Sequence, residues 1–347
     1  MKRELLLYDV YPKVFLAHEL SQVTIASTDY STHFKEGVPY KVVIVPLGRG
    51  LYHGSQPFDQ IEVCGKDQKL VFEYAFGEEQ EYYLRILDEE GNRVVQLSVY
   101  AAEKDLYERR PYRGDLHVHS CFSDGKESPE FVCGMYRQKG FDFLAITDHY
   151  QYEPSLRAIE AYKDVPLGLT ILLGEEVHAP NNVPIAFTKY HLEQKPFDAF
   201  ELLGGQTTHE NNMQWAFYNE MRAKGLDTIP VVGSSDSHST LINDWFNEAK
   251  TLVFAKANAK EELFEAIRNQ YSVAVESRYG ESERIHGNYR LTSYARFLLS
   301  EYFPLHDALC YEEGRAMLGY LRQEADAHAL LELTQKRTQS LLNKYFA

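Results

Sequence analysis

At 347 residues, 44% of them hydrophobic, the chain has length for about two domains and enough apolar sequence for sizeable cores, which excludes a disordered protein. Its 36 Lys and Arg stand against 51 Asp and Glu, a formal charge of −15, so nucleic acid and anionic membranes are disfavoured as partners. No window approaches the roughly 18 consecutive apolar residues of a membrane span, MKRELLLYDVYPK has too short an apolar run for a signal peptide, and Cys64, Cys121, Cys133 and Cys310 share no CxxC spacing, so a reduced, cytoplasmic protein is expected.

Up to about residue 110 the chain reads as short alternating runs: QVTIAS, YKVVIVP, LVFEYAF, and YYLRIL joined to RVVQLSVY across DEEGN. In the last pair Tyr82, Leu84 and Ile86, then Val95, Leu97 and Val99, fall on single faces with the period of a half-buried strand. Residues 1–110 are therefore expected to form a β-sandwich, and the charged segment EKDLYERRPYR marks its end. From Asp115 the rhythm changes to strand, helix, strand, with apolar strands starting near residues 115, 141, 169, 197 and 228, as βα units require. The first helix is well signalled by Ser128 as cap, Pro129 at the first helical position and Gly140 after its end. An α/β domain over 111–284 follows, then a C-terminal helical segment over 285–347, expected to pack on the α/β domain.

Residues two apart on a strand point to the same side, so His117 and His119 in GDLHVHS project together, with Asp115 on the same face. The same parity recurs for Glu176 and His178 in GEEVH and for Asp236 and His238 in SSDSH, while His149 ends LAITDH and Asp124 lies in the turn SDG. The C-terminal ends of parallel strands converge on one crevice. Imidazoles and carboxylates crowded there would repel or desolvate at a cost of several kcal/mol, which a cation removes. Mixed His and carboxylate ligands without thiolate suit Zn, Mn or Fe.

DLHVHS with SDG, then TDH, GEEV and SDSH, in that order, resemble the four motifs of the PHP (polymerase and histidinol phosphatase) metal-dependent hydrolases. GEEVHAPNN, DAFELLGG and RFLLSEYFPLHDALC resemble the carbaryl-hydrolase-like branch of that superfamily, whose members place a β-sandwich first. The resemblance implies a distorted (β/α) barrel preceded by an immunoglobulin-like sandwich. It implies one divalent metal held by His117, His119, Glu176 and Asp236, and a second by Asp124, His149 and His238. Family members carry two further βα units before the last motif, with histidines for a third metal. Here about twenty residues separate His178 from Asp198, so the barrel is expected to be truncated, open or completed by a partner copy. His178, His191 and His209 are the candidates for replacing the missing ligands.

The activity so implied is hydrolysis of a small-molecule phosphate ester by a metal-bound hydroxide, with a carboxyl or carbamate ester as the alternative substrate and a metal-stabilised binding or scaffold protein as the alternative function. Asp148 and Asp115 are expected to orient histidines and either His178 or a bound water to protonate the leaving group, with Ser120 and Arg113 as candidate substrate contacts.

Overall fold

The computed structural model describes residues 4–49, 58–177, 190–191, 193–194, 197–205, 208–225, 229–241, 245–277 and 282–346. The chain divides into two compact units. One comprises Met1–Arg109 with Arg296–Leu305 and Gln339–Ala347, the other Arg110–Ala295 with His306–Thr338. No helix among the described residues is long and apolar enough to cross a membrane.

The first unit is built on two sheets. β1 (Tyr8–Tyr11), β3 (Leu20–Ser27) and β6 (Lys69–Ala75) form one; β2 (Val14–Leu16), β4 (Pro39–Pro46), β5 (Asp59–Cys64), β7 (Gln80–Leu87) and β8 (Arg93–Ala102) form the other, in the order β2-β8-β7-β4-β5. The alternation expected across DEEGN is realised in register: Tyr82 faces Val99, Leu84 faces Leu97 and Ile86 faces Val95. All six are buried, with Val23, Ile25, Leu70 and Phe72 of the other sheet, in one apolar core.

In the second unit β9 (Arg110–Asp115), β10 (Phe143–Ile146), β11 (Thr170–Leu173), β14 (Ala249–Ala255), β15 (Ser272–Glu276) and β16 (Arg284–His286) form one sheet, ordered β11-β10-β9-β14-β15-β16. β9, β10 and β11 are parallel, in keeping with the βα rhythm read from the sequence, whereas the pairings of β14 with β9, β15 with β14 and β16 with β15, strands that lie beyond that rhythm, are antiparallel. β12 (Phe200–Leu203) and β13 (Val231–Gly233) pair separately as a parallel two-stranded sheet, which leaves the arrangement an open half-barrel.

β10, FLAI, is buried along its whole length because both of its faces are covered. Leu144 and Ile146 pack with Val132, Cys133 and Tyr136 of helix α1 (Pro129–Gln138) and Ala158 of α2 (Glu153–Ala161). Phe143 and Ala145 pack on the opposite face with Leu172, Val253 and Ala266. A Cβ at Gly114 would lie 2.0 Å from the Phe143 ring, so only glycine admits this strand pairing. Ser128 stands at the N-cap of α1 with Pro129 next, although its hydroxyl makes no capping bond. Further helices are α3 (Thr208–Ala223), α4 (Lys260–Arg268), α5 (Tyr289–Glu301), α6 (Phe303–Leu321) and α7 (Ala327–Tyr345).

β9 is fixed to β10 by a buried polar network. Asp142 accepts from Arg113 N (3.0 Å) and from Arg137 NH1 (2.8 Å), and the same guanidinium donates to Glu313 Oε2 through Nε (3.0 Å) and NH2 (2.8 Å). The Arg137 and Glu313 side chains are both fully buried. Removing one partner of such a pair strands an uncompensated charge. Glu313→Ala is therefore expected to lower unfolding free energy by about 3–5 kcal/mol in urea denaturation, and a loss under about 1 kcal/mol would remove this network from the scaffold of the site.

Candidate metal centre

β9 ends at Asp115, and the chain continues extended through the two histidines, paired at Val118 with Ser237. Asp236 N donates to His117 O (2.9 Å), His119 N to Ser237 O (3.0 Å), and Thr147 N to Val118 O (2.8 Å). On the far side His149 pairs with Glu176. Backbone pairing thus continues past the strand ends and lays the four motif segments side by side, which brings their side chains to one place.

The Nε2 of His117 lies 3.1 Å from Glu176 Oε2 and 3.3 Å from Asp236 Oδ1; that of His119 lies 3.1 and 3.0 Å from the same two oxygens. Ligand atoms of His117, His119, Glu176 and Asp236 all fall within 4.8 Å of one another, as do those of His119, Asp124 and His149. His149 reaches Glu176 Oε2 through Nδ1 (3.2 Å) and Asp124 Oδ2 through Nε2 (3.3 Å); His238 Nε2 is also 3.3 Å from Asp124 Oδ2. Glu176 Oε2 is the common point of three imidazoles. Glu175 points elsewhere, to the Tyr152 hydroxyl.

These residues fit divalent cations. The buried Nε2 atoms of His117 and His119 face carboxylate oxygens without the alignment of a hydrogen bond, and nitrogen and oxygen donors converging in this way are what a Zn- or Mn-class ion would organise. The His119 side chain is 0% exposed and that of Asp124 53%, so the centre opens to solvent on the Asp124 side. A third buried group, Asp142, His306 and Cys310, is different in kind. The Arg137 guanidinium already donates to the Asp142 oxygen that His306 Nε2 meets at 2.8 Å, which leaves a cation opposed by a fixed positive charge.

Strand parity explains His117 and His119 but not Asp236 and His238. Asp236 adopts φ +53°, a left-handed conformation tolerated by aspartate, and leaves the strand path there. His238 returns to the centre because its Nδ1 is fixed at 2.8 Å on the Asp236 carbonyl oxygen. A Cβ at Gly205 would lie 2.4 Å from Asp236 Cβ and 2.0 Å from Ser235 O, so glycine is required for the end of β12 to approach this kink.

The expected supporting residues are placed differently. Asp115 touches no imidazole ring. It accepts from His117 N (3.2 Å), Ser235 N (3.1 Å) and the Tyr136 hydroxyl (3.2 Å), and burial pushes its carboxyl up to about 7. Asp148 likewise meets backbone and hydroxyls: it accepts from Ser120 N and Oγ and from Ser123 N and Oγ, holding the turn that carries Asp124, and reaches His119 only through the Ser123 hydroxyl, 3.3 Å from Nδ1. Ser120 is spent on this bond and fully buried. Arg113 is not in the crevice: its guanidinium is buried, donating to Lys139 O (3.1 Å) and to Asp307 (3.1 Å). His178 lies outside the described residues. His191 packs beside Tyr190, with ring centroids 5.7 Å apart, and joins no ligand group; His209 lies on α3, where its side chain is not described.

One participant was not foreseen. Glu201 of β12 places Oε2 3.2 Å from His117 Nδ1. No spacing to a candidate ligand marks it; the signal in the sequence was its place in DAFELLGG, a carboxylate on one of the strands of the βα rhythm.

Without a cation the imidazoles become bases for the carboxylates around them. Burial alone would lower His117, but Glu176, Glu201 and Asp236 outweigh it and hold it at about 11; His119, likewise opposed by burial, is held at about 9 by Asp236 and Glu176. Glu176 is driven far below the usual carboxylate range by the same histidines, against its own desolvation. Because both histidine values are raised above the ordinary 6.5, their stabilising contribution is complete below pH 6.5 and is lost as pH rises toward 9 and beyond. The Tm of chelator-treated protein is therefore expected to fall between pH 6.5 and 9. The increment given by saturating Zn or Mn is expected to grow over the same window, since bound ligands must shed those protons. A flat metal-free Tm would contradict this charge arrangement.

Residues 115–277 match the family model described as the PHP domain. A 57-residue stretch is 39% identical to the DNA polymerase/3'-5' exonuclease PolX of Bacillus subtilis (strain 168); it covers 16% of this chain and 10% of that protein. Among solved structures, a two-domain protein from Bacteroides vulgatus containing a predicted PHP-like metal-dependent phosphoesterase aligns with a TM-score of 0.37 and 14% identity, over 48% of this chain and 65% of that one. The chain thus spans less than two thirds of either relative. Every histidine and carboxylate of the cluster falls inside the stretch that matches the PHP domain.

Proposed function

We propose that this chain is a metal-dependent phosphoesterase acting on small phosphate esters. The observation that carries the reading is the convergence of His117, His119, Glu176 and Asp236 within 4.8 Å, with Asp124, His149 and His238 alongside. The first four would hold one cation and the last three a second, with Glu176 between them. Divalent ions held there would supply Lewis-acid stabilisation of developing negative charge and lower the pKa of bound water. Asp148 keeps the Ser120–Ser123 turn closed so that Asp124 faces the centre from its open side. His178, two residues beyond Glu176, is our assignment for protonation of the leaving group. The acidity of the chain favours a small substrate over a polyanion. The exonuclease activity named for the Bacillus relative is a phosphodiester hydrolysis, which supports the phosphate-ester assignment; the sequence resemblance to the carbaryl-hydrolase-like branch suggests the competing one, a carboxyl or carbamate ester.

Protein loaded with Mn or Zn is expected to retain two equivalents through gel filtration and to hydrolyse bis(p-nitrophenyl) phosphate or p-nitrophenyl phosphate in preference to naphthyl acetate. Asp236→Ala and His117→Ala should lose metal and turnover together, by 10²-fold or more, as ligands of one cation. His178→Ala should keep its metal and lose on the order of 10²-fold in kcat. Two retained metals with naphthyl-ester cleavage and no phosphate-ester cleavage would transfer the assignment to the competing substrate class. Metal uptake that raises Tm without any turnover would replace catalysis by a structural role.

A further inference from the structure

We infer that Glu201 is a positioning residue for the first cation, acting through His117; this rests on the metal-binding reading above. The His117 ring is held at both nitrogens. Nε2 faces Glu176 and Asp236 at 3.1 and 3.3 Å, while Nδ1 faces Glu201 at 3.2 Å. A neutral imidazole has one ring proton, and only the unprotonated nitrogen can bind a metal. A carboxylate behind Nδ1 keeps the proton on that side, turns the Nε2 lone pair toward the two carboxylates, and adds negative charge that strengthens it as a donor. Glu201 belongs to none of the ligand groups found among the described residues, so it stands behind the imidazole and does not compete for the ion.

The fold holds the strand that bears this carboxylate through contacts on its C-terminal side. The β12–β13 register is irregular between Glu201 and Leu203. Just beyond, the buried Asn211 side chain clamps Gly204 from both sides, accepting from its N (3.2 Å) and donating to its O (3.2 Å). Gly205 then abuts Asp236, as described above. The strand bearing Glu201 is thereby docked on the segment that supplies a ligand of the same cation. The other histidines are served differently: His119 Nδ1 faces the Ser123 hydroxyl and His238 Nδ1 a backbone carbonyl. His117 alone, among these three, has behind it a carboxylate that belongs to no ligand group.

The test is a titration of metal-free full-length wild type, Glu201→Gln and Glu201→Ala with Zn²⁺ in competition with a chromophoric chelator, together with the visible spectrum of the Co²⁺-loaded proteins. Glu201→Gln keeps the shape of the side chain and removes its charge. It is expected to weaken the tighter site about tenfold and to move the Co²⁺ absorption, with Glu201→Ala approaching about 100-fold. Wild type that binds while Glu201→Gln stays within about twofold of it, with an unmoved Co²⁺ spectrum, would overturn this inference alone. Wild type that takes up no cation would overturn the metal-binding reading and this inference with it.

Discussion

Asp115 is no candidate ligand, yet its carboxylate receives the backbone N–H groups of both His117 and Ser235 and the hydroxyl of Tyr136. That one buried group ties the end of β9 to the segment that carries Asp236 and His238, and anchors both to α1. β13 does not pair with β9 in the body of the sheet, where β14 occupies that edge, so the two segments meet only beyond the strand ends. A buried carboxylate that accepts several N–H and O–H donors is costly to replace, because each donor would be left unsatisfied in a low-dielectric environment. The geometry of the centre depends on this junction more directly than on any single ligand.

Around it, charges are arranged so that protonated and metal-loaded forms are alternatives. In the absence of a cation, protons on His117 and His119 are favoured by the carboxylates around them, and the neighbouring histidines hold Glu176 and Asp124 below the usual carboxylate range. A cation held there would exchange those protons for metal charge, and the donors that would hold it already converge. Such preorganisation places the conformational cost of building the site on folding and not on ion uptake. The Arg113, Asp142, Arg137 and Glu313 network serves the same end from beneath, holding β9 and β10 in the pairing that sets the spacing of His117, His119 and His149.

What could be read from sequence was whatever local chemistry dictates: the alternation of the first unit's strands, the cap and stop of α1, and histidine and carboxylate pairs at the ends of apolar runs. Period-two spacing reports which residues share a face, so His117 and His119 were legible. The same spacing named Asp236 and His238 for a reason that does not hold, because Asp236 sits in a left-handed kink and His238 is returned by a backbone hydrogen bond. Arg113 shows the converse: its position beside the motif suggested a substrate contact, but a partner 194 positions away, Asp307, takes its guanidinium.

The sequence by itself determined that histidines and carboxylates stand at or just beyond the ends of successive apolar runs, in an order that resembles the PHP motifs. Only the tertiary structure decided that the sheet stays open, that β14 to β16 run antiparallel, and that Glu201 stands behind His117. Strand neighbours and cross-sheet partners are chosen by burial and hydrogen bonding summed over the whole unit. A lone glutamate on a short strand carries no trace of which imidazole, 84 positions earlier, it will face.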